Sequence, residues 1–370
     1  MSASKRVVVL GLGDTGLLVA LALAARHRVT VVAPRPFYLS SQNVGGRLAW
    51  PQTWARTSKV ETHRFTKLDG VEIVQGLARS VDPAEKTVSY GVDEHDVRTL
   101  HYDALVIATG ADNGFWRTTR VESSAQEEQR RAEEQALLQA ASTLTIVGGG
   151  ASAVSMASSL SERFGDKTVA LYHPGASLLR AYPPRVAVRM LARLRALGVR
   201  VHAGHRAVPP KMTGLGPATI QWESGQAPLE AELVLWAIGG AQPNAGFLPP
   251  QMLGPDGFVN VRPTLQVEAW DDVFCVGDLA RTDPARSSAR NNGAAIVAAN
   301  VTRVLAGDLD RLRTFEPPIH KWGELTNSPE SGMWLYTPRG RQVRLLPWIV
   351  RRVIFDWIVF RLLYGGVRAP

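Results

Sequence analysis

The sequence predicts an α/β protein made of two Rossmann-like dinucleotide-binding domains, one inserted in the other, followed by a C-terminal tail. Three observations predict it. The turn Gly11-Leu12-Gly13-Asp14-Thr15-Gly16 follows the apolar run Val7-Val8-Val9-Leu10 and opens an apolar helical stretch. A second turn, Gly148-Gly149-Gly150-Ala151-Ser152-Ala153, follows Leu144-Thr145-Ile146-Val147 in the same way. Short apolar runs of strand length alternate with helical stretches through both halves, the pattern of parallel sheets with crossover helices.

Residues 5–10 read as a buried parallel strand and 16–25 as a helix. Residues 29–32 form the second strand, stopped by Pro34 and Pro36. Residues 38–57, with Gly45, Gly46 and Pro51, read as a long loop or irregular helix. Strands follow at 71–74 and 87–90, and the strand 102–108 runs into Thr109-Gly110. Residues 122–141 form a charged helix between the domains. The second unit adds strands at 169–172, 199–202, 219–222 and 233–238, and a helix near 185–196. A short buried strand at 273–276 then returns before Gly277-Asp278, so the second unit is an insertion. A helix spans 291–305, and a distinct tail starts at Phe315. The predicted domains are 1–118 with 243–312, the inserted 119–242, and the tail 313–370.

With 370 residues, 45% of them hydrophobic, the chain can bury two cores. A single cysteine, Cys275, excludes a disulfide framework, a cysteine-rich metal site and a CxxC pair within the chain. It reads as a small core residue, and no metal site is predicted. The net charge of +9 favours anionic cofactors, anionic lipid or an acidic protein partner. No nucleic-acid motif is present, and nucleic acid is not an expected partner. No secretory signal precedes Val7, residue 2 is serine rather than glycine, and no apolar run approaches about 18 residues. The expected compartment is the cytoplasm.

The glycines have distinct physical tasks. Gly11 permits the tight bend, Gly13 lets backbone approach a pyrophosphate, and Gly16 lets helix and strand pack closely. The helix beginning near Thr15 adds free N–H groups and a positive dipole. In the second turn Gly148, Gly150 and Ala153 take these places. One such turn binds one dinucleotide. Two suggest a flavin dinucleotide plus a nicotinamide dinucleotide, hence an electron-transfer enzyme.

Two features of the first turn depart from the usual pattern. Ala33 stands where the second strand normally ends in an acidic ribose ligand. Asp14 puts a carboxylate beside the expected pyrophosphate, so it should point away or pair with a basic group such as Arg35. In the second unit His173 and Pro174 end the corresponding strand. The missing acid weakens the case for NADH. His173 and Arg180 are candidates to face a 2′-phosphate and favour NADPH; the alternative is a surface pair with no ligand.

Several motifs occur together and in order: the Gly11 turn, Tyr102-Asp103-Ala104-Leu105-Val106-Ile107-Ala108-Thr109-Gly110, the Gly148 turn, Ala231 to Gly239, Pro243-Asn244, and Asp272-Val273-Phe274-Cys275-Val276-Gly277-Asp278. With them the chain resembles the two-dinucleotide flavoprotein reductases of the pyridine-nucleotide oxidoreductase superfamily. It looks most similar to type II NADH dehydrogenases and AIF-like quinone reductases related to ferroptosis suppressor protein. The resemblance covers roughly residues 5 to 310 and implies FAD with NADH or NADPH as cofactors. Thr109-Gly110 would close beneath the flavin nucleotide, and Asp278 after Gly277 would bind the ribityl or pyrophosphate region. Gly239 and Gly240 would let backbone approach the nicotinamide. The helix from Asn291, with Gly293 in its first turn, would aim its N-terminus at the flavin pyrimidine edge. Arg290 and Asn291 are the candidates nearest the flavin. Arg290 either stabilises a flavin or quinone anion or is a solvated helix-start arginine. Gly45-Gly46-Arg47 and Trp116-Arg117 are weaker candidates that otherwise pack a long loop.

The chain also departs from its relatives. It lacks the cysteine pair of disulfide reductases and the cysteines of sulfide:quinone reductases, so neither chemistry is expected. Ser155 stands where type II enzymes carry a glutamate, and Asn291-Asn292 near their usual glutamine pair. The expected function is hydride transfer from NAD(P)H to flavin, then electron transfer to a quinone or similar small acceptor. The alternatives are a reductase of an acidic iron–sulfur protein and a low-turnover flavin or nucleotide sensor. In the tail, Ile349, Val353, Trp357, Phe360 and Tyr364 form an apolar stripe at helical spacing, flanked by arginines. Such a helix lies on the inner face of a membrane, packs on the protein's own core, or joins a homodimer.

Overall fold

After Arg6, every residue of β1 (Arg6–Leu10) is buried, because both faces of its sheet are covered. The computed structural model describes residues 5–369, apart from 94, 113–115, 117–118, 211–213, 239–240, 285 and 290. Arg290, Gly239, Gly240, Arg117 and the side chain of Asn291 thus lie outside the described residues.

In chain order, β1 leads into α1 (Asp14–Leu23), β2 (Arg28–Ala33) and β3 (Phe37–Leu39). Two helices, α2 (Val44–Ala49) and α3 (Pro51–Ser58), follow, then β4 (Lys59–Glu61) and β5 (Glu72–Gln75). An antiparallel three-stranded sheet comes next: β6 (Leu77–Asp82), β7 (Thr87–Gly91) and β8 (Val97–His101). The chain then forms β9 (Ala104–Ile107), β10 (Ala111–Asp112) and the connecting helix α4 (Ser124–Ala140), which starts with a Ser123–Gln126 capping box.

The second unit contains β11 (Thr143–Val147), α5 (Ala151–Arg163), β12 (Thr168–Tyr172) and α6 (Pro184–Ala196). It continues with β13 (Arg200–His202), β14 (Gly216–Ile220), β15 (Leu229–Trp236) and β16 (Gln242–Pro243). The chain returns through β17 (Val273–Cys275) and α7 (Asn291–Leu305). The tail holds β18 (Gly323–Ser328), β19 (Gly332–Tyr336), β20 (Gln342–Leu345), a helical turn α8 (Pro347–Ile349) and a π-helix (Val350–Leu363).

The fold is two parallel-sheet Rossmann-like cores. The first sheet has the order β17-β9-β1-β2-β5, all parallel, with Val8 opposite Leu105 and Leu105 opposite Val273. The second has the order β13-β12-β11-β15-β14, with β14 antiparallel at one edge. The two chain crossings between the units pair with each other: β10 and β16 are antiparallel, Ala111 opposite Pro243. Thr109 and Asn244 reinforce that junction. The Thr109 hydroxyl donates to the Asn244 carbonyl at 2.8 Å, and the Asn244 amide donates to Asp112 at 2.9 Å.

Some expectations need correction or completion. Of the two readings of residues 38–57, the helical one holds in part, since they form β3, α2 and α3. Gly45 faces α5, where a β-carbon would stand 2.6 Å from the Ser155 carbonyl carbon, whereas one on Gly46 would meet the Asn43 side chain that caps α2. The strands β6 and β8 had no expectation; β8 is mostly exposed and carries little apolar alternation. The tail begins with an antiparallel sheet, and its helix winds with i to i+5 bonds, as from the Tyr364 amide to the Val359 carbonyl at 2.8 Å. Under this wider winding the inward residues are Val350, Ile354, Phe355, Val359, Phe360, Leu363 and Tyr364. The stripe expected at 3.6 residues per turn is split. Val353 and Trp357 face outward, with Trp357 53% exposed.

Candidate dinucleotide site between the two units

A cavity of about 1060 Å³ runs between the two units and the tail. Its floor is the first glycine turn. Gly11 has φ +100°, and a β-carbon there would stand 2.5 Å from the Ala108 carbonyl oxygen. A β-carbon on Gly16 would stand 3.0 Å from the Gly11 carbonyl carbon. Gly13 has nothing within 4 Å of that position and is the N-cap of α1, with no side-chain cap. The first N–H groups of α1 are therefore left without a side-chain acceptor at the N-cap. The second turn repeats this geometry: Gly148 has φ +144° beside Ala237, and Gly150 is an open, uncapped N-cap of α5.

The cavity brings together Gly11, Gly13, Thr15, Arg35, Thr109, Gly110, Gly277 and Asp278. From the second unit it takes Ala151, Ser152 and Ser155. Gly148, Gly150, Ala153 and Gly16 are not among its lining residues. A β-carbon on Gly277 would sit 3.3 Å from the Thr15 hydroxyl, so the β17 turn covers the α1 start. Ser288, fully buried, bonds to the Gly277 backbone at 3.2 and 3.3 Å. Gly293 sits against it: a β-carbon would lie 2.9 Å from the Ser288 carbonyl carbon.

Asp14 does not pair with Arg35. Its carboxylate accepts from Tyr38 Oη at 2.6 Å, Ser40 Oγ at 2.8 Å and Ser41 Oγ at 2.9 Å. The Arg35 Nε instead donates to Glu122 at 2.7 Å. Glu122 was not foreseen as a site residue. Its amide donates to the Pro34 carbonyl, which sets a buried carboxylate at the end of β2 beside Ala33. Burial works to raise its pKa, but hydrogen bonds from Arg130 and Arg35 outweigh burial and hold the carboxyl below the usual range.

His173 is not a surface residue. It is buried against the second turn, where a β-carbon on Gly149 would stand 3.1 Å from the His173 Cβ. Burial, then His205, lowers its pKa, so the ring is neutral at neutral pH. Its Nδ1 is buried without a partner among the described residues. Arg180 is exposed, and neither residue lines the cavity. Ser155 is 4% exposed, lines the cavity, and its hydroxyl has no partner among the described residues.

The tail also lines the cavity, with the apolar Trp322, Leu325, Met333, Leu335 and Ile354 beside the charged Glu316, Lys321 and Glu324. Cys275 lies in β17, fully buried, its thiol pushed up by burial.

The pattern of the pyridine nucleotide-disulphide oxidoreductase family matches residues 5–299. The chain belongs to that family. Its members are oxidoreductases whose cofactors are FAD and NADH or NADPH. Cys275 is the one cysteine of this sequence, so no disulphide forms within it.

Among curated proteins, the chain is similar to the oxidoreductase ptaL of Pestalotiopsis fici, 27% identical over 217 residues. That match covers 58% of each chain. Fe-regulated protein 8 of Mycosarcoma maydis is 27% identical over 213 residues, 54% of this chain and 53% of that protein. The chain thus spans little more than half the length of these curated relatives. Among solved structures, the sulfide:quinone oxidoreductase of Aquifex aeolicus superimposes with TM-score 0.72 at 17% identity, over 99% of this chain and 93% of that one. The putidaredoxin reductase in its covalent putidaredoxin complex gives 0.66 at 21% identity, over 90% and 82%. At these identities the likeness is one of fold. No helix among the described residues is long and apolar enough to cross a membrane.

Proposed function

We propose that this family member takes hydride from NADH or NADPH onto FAD and delivers electrons to a quinone or similar small apolar acceptor. The observation that carries this reading is one cavity lined by the first glycine turn, the start of α5 and the apolar tail residues Trp322, Leu325, Met333, Leu335 and Ile354. A bulky protein acceptor has no need of such an apolar lining inside a cavity.

The residues fit the cofactors. Two uncapped helix N-termini, each behind a glycine with open space, suit pyrophosphates. Gly11, Gly13, Thr15 and Gly16 would hold the FAD pyrophosphate, with Arg35 toward the adenosine. Thr109, Gly110, Gly277 and Asp278 would hold the flavin side, with Gly293 fixing the α7 start behind them. Gly148, Gly150 and Ala153 would hold the nicotinamide dinucleotide, with Gly239 beside its ring and His173 and Arg180 toward its adenosine end. Ser155 offers its free hydroxyl to the nicotinamide or acceptor. Arg290 and Asn291 remain the candidates for the flavin pyrimidine edge. When bound, FAD supplies the redox chemistry; the chain orients the rings and keeps water from the apolar lining. On this reading residues 1–118 and 243–312 form the FAD domain, 119–242 the NAD(P) domain, and 313–370 the acceptor-side tail.

The tail supports contact with an anionic membrane face on the cytoplasmic side. Trp348 is 60% exposed and Trp357 53%, with Leu362, Arg351, Arg352 and Arg361 also exposed. The same arginines favour a second reading, docking of an acidic iron–sulfur protein.

Anaerobic stopped-flow mixing with NADH and NADPH, followed by a soluble quinone analogue or a ferredoxin, tests these readings. Flavin bleaching followed by fast reoxidation by quinone supports the proposal. Reoxidation only by ferredoxin, and less in salt, supports the second reading. A flavin that neither nucleotide bleaches removes both.

A further inference from the structure

We infer that the C-terminal tail governs FAD retention through a relay of hydroxyls that holds the Asp14 carboxylate away from the phosphate site. The inference rests on the first glycine turn being the FAD pyrophosphate site. Asp14 is the first residue of α1 and lines the cavity. A carboxylate there has two fates. Without other donors it turns to the free N–H groups of its own helix end, whose positive dipole favours it. In that position it competes with a phosphate for the same donors and repels it.

Here four donors from Tyr38, Ser40 and Ser41 engage the carboxylate instead. Tyr38 and Ser40 donate to Oδ1 at 2.6 and 2.8 Å. The Ser41 hydroxyl and amide donate to Oδ2 at 2.9 and 3.3 Å. Tyr38 is buried, and burial first, then Asp14, keeps its phenol protonated and therefore a donor.

Behind Tyr38 stands the tail. Tyr364 Oη donates to Tyr38 Oη at 3.3 Å, with the two rings edge to face at 6.0 Å. The chain Tyr364 to Tyr38 to Asp14 runs in one donor direction, so each bond polarises the next. Tyr364 is itself held in place. Phe65 packs on it at 5.5 Å, Val367 bridges to Phe65, and the Thr66 amide donates to the Gly366 carbonyl at 3.1 Å. Arg368 grips both oxygens of Asp69. The last residues of the chain are therefore strapped onto the first domain, and their purchase reaches the phosphate turn by way of two phenols.

The test uses the full chain reconstituted with FAD, with release on dilution followed by flavin fluorescence. Tyr38→Phe and Tyr364→Phe keep their rings and the aromatic packing, and circular dichroism checks the fold. Losing the donor on the carboxylate should speed release about tenfold in Tyr38→Phe. Losing the more distant donor should give about threefold in Tyr364→Phe. Adding Asp14→Asn to Tyr38→Phe removes the charge and should restore slow release. Wild-type release in both tyrosine variants overturns the inference, as does failure of Asp14→Asn to rescue. A thermal-shift titration with FAD separates the other failure. Wild-type protein that binds no FAD overturns the reading of the turn and this inference with it.

Discussion

Gly45 and Ser155 meet with no room for a side chain between them. A β-carbon on Gly45 would stand 2.7 Å from the Ser155 hydroxyl and 2.6 Å from its carbonyl carbon. This is where α2 of the first unit seats on α5 of the second, so the separation of the two glycine turns depends on a missing methyl group. Gly45→Ala should push the helices apart and lower stability by about 1–3 kcal/mol. Thermal unfolding with and without FAD would measure this, and an unchanged midpoint would show that the seat yields.

Gly13→Ala should behave in the opposite way. No atom lies within 4 Å of its β-carbon position, so the apoprotein should keep its melting temperature. The added methyl would occupy space that the proposed pyrophosphate needs. FAD affinity should fall at least tenfold, about 1.4 kcal/mol, as read by flavin fluorescence titration. Full FAD binding by this variant would move the phosphate site elsewhere.

Arg47 is buried among carboxylates, 2.7 Å from Glu134 and 3.9 Å from Glu127. Burial lowers its pKa, opposed by Glu134. Glu127 also has Lys59 and Arg131 within 3.8 and 3.3 Å. The network ties α2 and β4 to the connecting helix α4. Arg47→Met would remove the nearer cation of Glu134, leaving it Arg130 at 3.3 Å, and should cost about 1–3 kcal/mol. Denaturant unfolding of the single variant, and of Arg47→Met with Glu134→Leu, distinguishes a needed pair from a replaceable one. The double variant should recover much of the loss.

Glu122 gives the pH dependence a definite sign. Its folded pKa lies below its unfolded value, near about 4.3. Its contribution to stability is complete above that unfolded value and is lost as pH falls through the folded one. Thermal midpoints of wild type and Glu122→Gln should differ most at neutral pH and converge in acid. A gap that stays constant with pH would mean that the Arg35 and Arg130 bonds do not depend on its charge.

The two sheets were legible chiefly from β1, β9, β11 and β17, apolar runs that lead into glycine turns. The helix at 291–305 was legible from its length and periodicity. The helix α2 was legible only as one of two readings, since Gly45-Gly46 also reads as a loop until α5 is placed against Gly45. The partners of the site's charges were hidden by distance along the chain. Asp14 is satisfied by Tyr38, Ser40 and Ser41, and Arg35 by Glu122, 87 residues away. The tail misled because the stripe was read at 3.6 residues per turn and the helix winds more widely. Its apolar residues in the cavity lining, Met333 and Leu335 of β19 and Ile354 of the π-helix, belong to no motif and became visible only with the fold that gathers them.

The parallel pairing of β17 with β9 places Val273 opposite Leu105, with the whole second unit between them in the chain. A ribosome therefore releases the second unit as a continuous, self-contained sheet before the first sheet has its last strand. Until Val273 emerges, β9 has one open edge, and the floor of the cavity lacks the turn that covers Thr15. The inserted unit can condense early on local contacts, whereas the first waits on a closure of high contact order. On the proposed assignment of the two glycine turns, a nascent chain halted before Val273 should bind nicotinamide nucleotide sooner than flavin, which would make the order of synthesis an order of cofactor loading.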